Sequence, residues 1–142
     1  MPLSPRLLLV ILPLVLLTAP VSAEEPHSHE GPESPHDLKT VMQALALAEQ
    51  QIQVGLLTNN RLLIAQGAKG VAHHPRPKGG IAPYIKKHQD KLAETIQLMD
   101  KRVHGSAVAI FKGSATASML ELQTLNDELV RGCIQCHDLF RD

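Results

Sequence analysis

Ser118-Met119-Leu120-Glu121-Leu122-Gln123-Thr124-Leu125-Asn126-Asp127-Glu128-Leu129-Val130-Arg131-Gly132-Cys133-Ile134-Gln135-Cys136-His137-Asp138-Leu139-Phe140 is the stretch from which the fold is read. Ser118 and Glu121, three residues apart, form a capping box that opens a helix. Leu122, Leu125, Leu129, Cys136 and Phe140 then recur at helical spacing and give that helix an inner face. Within it, Cys133-Ile134-Gln135-Cys136-His137 reads C-x-x-C-H, the attachment signature of a c-type haem.

The spacing suits the chemistry. Positions i, i+3 and i+4 share one helix face, so both thiols can each add to one vinyl group of the same porphyrin while the imidazole of His137 stands under the iron as its proximal ligand. The chain holds only two cysteines, which leaves three readings open: a haem clamp, a thiol/disulfide pair, or half of a zinc site. A tetrahedral zinc site needs four ligands, and there is no second Cys pair. A redox C-x-x-C opens a helix in a thioredoxin-like βαβ context, whereas this one lies deep in a helical pattern near the C-terminus.

The N-terminus points the same way independently. Arg6 supplies a positive start, residues 7–17 are apolar apart from Pro13, and Val21-Ser22-Ala23 has the small residues of a cleavage site, so cleavage is expected after Ala23. The apolar run is shorter than the roughly 20 residues of a membrane span, so the reading is export into the periplasm with no stable membrane insertion. C-type haem is attached on the oxidising side of a membrane, so leader and motif predict each other. The 119 residues from Glu24 carry 13 Lys and Arg against 14 Asp and Glu, a balance that argues against nucleic acid as a partner. Lys86-Lys87 and Lys101-Arg102 offer local docking patches, although a solvated helix face is the commoner role of such pairs.

The chain has no Trp and only Tyr84, Phe111 and Phe140 as aromatics, so a buried porphyrin would supply the large flat apolar group the core otherwise lacks. Residues 24–36, rich in His, Pro and Glu without apolar periodicity, read as a disordered linker. His27, His29 and His36 there can bind a transition metal weakly, or form a solvated tail. Ser34-Pro35 offers an N-cap and first turn, after which Leu38, Val41, Met42, Leu45, Ala48, Ile52 and Leu56 form the stripe of a first helix ending near Leu57. Asn59-Asn60 caps a second helix carrying Leu63, Gly67 and Val71 and stopping before Pro75. Residues 73–83 form an irregular connection, and Pro83 suits the first turn of a third helix with Ile85, Leu92, Ile96, Met99 and Val103 inward. His104, beside Gly105, reads as the dipole-favoured end of that helix, leaving an apolar piece at 108–111 without a place. No segment alternates as a strand, so the expected domain spans residues 37–142 and is all-α.

With its C-terminal Cys133, Cys136 and His137 followed by Phe140-Arg141, the chain from about Leu38 onward resembles the cytochrome c prime family of monohaem cytochromes and its low-spin relatives. The resemblance implies an antiparallel up-down four-helix bundle with covalent haem c near the last helix. It also implies a methionine on the inner stripe of the first helix as distal iron ligand, which falls on Met42; a thioether opposite histidine favours electron transfer. Alternatively Met42 only fills core space, leaving a five-coordinate iron that binds NO or CO. Met99 and His88 are weaker candidates for the distal position, and His73 and His74 are expected at the surface. A homodimer through the first two helices is implied as well, with Leu47, Val54 and Leu57 as an outward apolar stripe. No phosphate loop, nucleophile elbow or paired zinc histidines suggests an enzyme. The expected function is a soluble electron carrier served by redox partner proteins, with gas binding as the alternative and a haem-free metal or thiol protein as the third.

Overall fold

The computed structural model describes residues 34–141. The expected leader, its cleavage site and most of the linker lie outside the described residues. Four helices, α1 (Leu38–Leu57), α2 (Arg61–Ala72), α3 (Leu92–Gly113) and α4 (Met119–Phe140), pack in chain order, α1 on α2, α2 on α3 and α3 on α4, consistent with an up-down bundle. Among the described residues no helix is long and apolar enough to cross a membrane.

Local chemistry explains the boundaries. The cap of α1 is Asp37, whose carboxylate accepts from the Thr40 amide at 2.8 Å, a bond that holds its pKa below the usual carboxylate value. The expected cap at Ser34 is corrected. Ser34 is buried, its hydroxyl accepts from the His36 amide at 2.9 Å, and its own amide donates to the Arg76 carbonyl at 2.9 Å. Those bonds, with the Lys78 amide donating to the His36 carbonyl at 2.8 Å, lay residues 34–36 along the connection after α2. Asn59, in the left-handed region at φ 53°, turns the chain, and the Asn60 side chain caps α2 by accepting from the Leu63 amide at 3.1 Å. Arg61 then reaches the turn between α3 and α4, donating to the carbonyls of Ser114 (2.8 Å) and Ala117 (3.0 Å).

The third helix differs most from expectation. It starts at Leu92, because residues 73–91 are occupied by two short 3-10 turns, Ala82–Tyr84 and Gln89–Lys91, and by His88 in the left-handed region at φ 53°. Ile85 is buried as the stripe requires, but from the connection. Nor does α3 end at Gly105; it runs on to Gly113, takes in the apolar piece at 108–111, and so places His104 in mid-helix. Burial of Ala107 and Ile110 in the next turn outweighs the roughly 1 kcal/mol that a glycine costs a helix interior. A Cβ on Gly105 would meet nothing within 4 Å. Gly105→Ala is therefore expected to raise stability by about 0.5–1 kcal/mol in denaturant titration.

The capping box of α4 is present, with the Ser118 amide donating to Glu121 Oε2 at 2.7 Å and the Glu121 amide donating to Ser118 Oγ at 3.2 Å. These bonds hold the Glu121 carboxyl below its usual pKa. Beyond it the core gathers toward one end of the bundle, where Ile52 of α1, Ile64 and Ala68 of α2, Ala107 and Ile110 of α3, and Leu122 and Leu129 of α4 are fully buried. The opposite end combines the first half of α1, the start of α3 and the last turns of α4, as antiparallel neighbours must, and there the interior opens.

Candidate functional site

That end holds a cavity of about 320 Å³, within the range of small-molecule and cofactor sites. Met42, Leu45, Ala46 and Glu49 line it from α1; Ile96, Met99, Asp100, Val103 and His104 from α3; Val130, Gly132, Cys133, Ile134, Cys136 and His137 from α4; His74 and Ile81 close it from the connection. α1 and α4 touch each other only slightly, and the cavity lies between them.

Cys133, Cys136 and His137 face it together because they occupy i, i+3 and i+4 of one helix. Both cysteines are free and partly buried, and His137 is exposed. Burial raises the Cys133 thiol pKa, with the Glu49 carboxylate and Cys136 adding to the effect; burial alone raises that of Cys136. Both therefore stay neutral thiols near pH 7, unlike the low-pKa thiolate of a dithiol oxidoreductase. Gly132 lets α3 approach beside them: a Cβ there would stand 2.6 Å from Val103 Cγ2.

Met42 is partly buried and lies on the cavity wall across from α4. Met99 is buried on the same wall system, from α3. His88 is exposed and away from the cavity lining, and His73 is exposed as expected. His74 is not: it is partly buried and lines the cavity, 2.9 Å Nε2 to Nε2 from His104. His104 in turn lies 3.1 Å from Asp100 through its Nδ1.

Sequence reasoning missed Glu49, Asp100, and the pairing of His74 with His104. Glu49 could have been found as the one charge following Met42 and Leu45 on the inner stripe, and Asp100 with His104 as an i, i+4 pair. Glu49 is tied to the core by Asn126, fully buried on α4, whose Nδ2 donates to Glu49 Oε1 at 3.4 Å. No local signal links His74 to His104, which sit on separate elements. Among the described residues no group of three or more His, Cys, Asp or Glu is arranged to hold a metal ion directly. The expected outward stripe does face solvent, with Leu47, Val54 and Leu57 all exposed.

The donors fit a porphyrin better than a bare metal: two neutral thiols and an imidazole on one helix, thioethers on two others, and otherwise mostly apolar walls. Comparison with family profiles, with curated proteins and with solved structures finds no match, so what stands is a four-helix all-α domain without a family assignment.

Proposed function

We propose that this chain is an exported monohaem c-type cytochrome that carries electrons, a low-spin member of the cytochrome c prime type. The observation that carries the reading is that Cys133, Cys136, His137 and Met42, from two helices far apart in sequence, line one largely apolar cavity. Bound haem c supplies a one-electron iron couple. Cys133 and Cys136 are the residues that would hold it, each through a thioether in which the sulfur would join one carbon of a vinyl group and the thiol hydrogen the other. Their raised pKa keeps them protonated until then and disfavours both thiol–disulfide exchange and thiolate capture of zinc. His137 would serve as the proximal and Met42 as the distal iron ligand, and the mostly apolar lining beside them would keep water from the metal and help set its potential. Electrons would pass between the iron and redox partner proteins by outer-sphere transfer.

Absorption spectra of oxidised and reduced protein, with and without carbon monoxide, test the reading. Low-spin bands insensitive to the gas are expected. A gas-shifted band would assign the protein to gas binding, and no haem band would leave the haem-free reading. Met42→Ala is expected to convert the reduced spectrum to a high-spin, gas-sensitive form. An unchanged low-spin spectrum in that variant would refute Met42 as ligand.

A further inference from the structure

Glu49 is the charge on the inner stripe of α1 to which electron transfer as proposed gives no role. Met42, Leu45, Ala46 and Glu49 follow one another at helical spacing along the cavity wall. Glu49 is seven residues on from Met42, about 10 Å of helix rise, so the two share one face of α1 two turns apart. The walls around them are mostly apolar.

A carboxylate in such a place needs a partner. Asp100, the other carboxylate on the wall, has His104 beside it, 3.1 Å from Oδ1 to Nδ1. Among the described residues Glu49 forms no ion pair. Its hydrogen-bond partner is Asn126 of α4, whose Nδ2 donates to Oε1 at 3.4 Å. Asn126 is fully buried, and among the described residues its Oδ1 finds no hydrogen-bond donor. An amide buried with its oxygen unpaired costs stability, and this one is spent on holding a negative charge at the cavity wall. That charge acts on the Cys133 thiol, where it adds to the effect of burial, and not on Cys136. Glu49 therefore stands on the Cys133 side of the cavity, next to whatever Cys133 would tether.

We propose that Glu49, held by Asn126, is the counter-charge of oxidised iron in this cavity and so holds its reduction potential down. The inference rests on the haem reading above. A ferric porphyrin core carries one unit of positive charge and a ferrous core none, so only the oxidised state pairs with a fixed carboxylate. At about 10 Å and an effective dielectric of ~20, that pairing favours the ferric state on the order of tenfold. It opposes the Met42 thioether, which favours the ferrous state. Asn126 is a positioning residue: it acts only through the carboxylate it holds.

Spectroelectrochemistry of the haem-loaded protein tests the proposal. Glu49→Gln removes the charge, keeps the acceptor for Asn126, and is expected to raise the reduced-to-oxidised ratio at a fixed potential on the order of tenfold, ~59 mV in midpoint for one electron. Glu49→Asp keeps the charge and should stay nearer to the wild type. Glu94→Gln, at an exposed carboxylate in the first turn of α3, is the control. Its smaller shift should vanish in about 1 M salt, where the screening length is ~3 Å, while the Glu49→Gln shift largely persists. Asn126→Leu should raise the midpoint of the wild type and leave that of Glu49→Gln where it is. An unchanged midpoint in Glu49→Gln would overturn the proposal, as would a shift that salt abolishes. Equal shifts from Asn126→Leu in both backgrounds would overturn the positioning role. Failure of the haem reading looks different: no haem band removes both claims, whereas a loaded haem indifferent to Glu49→Gln removes this one alone.

Discussion

Replacing Cys133 and Cys136 together by Ala should yield a protein without covalent haem whose thermal unfolding is broad and begins at much lower temperature. The reason lies in where the core is. Its fully buried residues gather toward the end defined by Ile52, Ile64, Ile110 and Leu122, while the other end surrounds a cavity of about 320 Å³. Without the group that would fill it, the walls lose their apolar contacts at that end, a loss that a domain stable by only about 5–15 kcal/mol tolerates poorly, and α1 and α4, which touch only slightly, have little direct contact to compensate. Circular dichroism during heating, beside an absorption spectrum, checks both parts. Sharp unfolding at an unchanged midpoint would show that the cavity end holds together without the porphyrin.

Gly67→Ala is expected to have the next largest effect, a loss of about 3 kcal/mol or more and a drop in Tm on the order of 10 °C. A Cβ at this position would stand 2.4 Å from the Ala48 carbonyl oxygen, 2.8 Å from Ile52 Cγ1 and 2.9 Å from the Ile52 amide nitrogen. Two of those atoms are backbone, so no rotamer change relieves the overlap and α1 must move away from α2. Ile52 and Ile64, both fully buried at this crossing, would lose contact as it does. Gly105→Ala, the same chemical change in α3 with open space around it, has the opposite expected sign and serves as the control. Equal effects from the two substitutions would mean that helix propensity, and not the α1–α2 approach, governs both.

What could be read from sequence was what short-range chemistry determines. The start of α4 was legible because Ser118 and Glu121 complete each other within one turn, and α2 because Asn60 caps it locally. The stripe of α1 placed Met42 on an inward path, and it lies on the cavity wall. The third helix misled at both ends for one reason: its limits are decided by packing. Pro83 and Ile85 have the pattern of a helical turn, yet Ile85 is buried from an irregular connection. Gly105 has the pattern of a stop, yet the burial of Ala107 and Ile110 carries α3 past it. The cap of α1 moved from Ser34 to Asp37 because Ser34 is engaged by the connection after α2, a tertiary contact. In the cavity, three residues of one helix were readable from a five-residue motif. The His74–His104 contact was not, since it depends on how the connection folds back onto α3.

Mass spectrometry of the exported protein under denaturing conditions, from a host whose haem-attachment machinery is active, tests the central claim most directly. The predicted result is a polypeptide beginning at Glu24 and carrying the mass of one haem, with the addition absent when Cys133 and Cys136 are replaced. A wild-type protein with only the mass of its polypeptide would contradict the account.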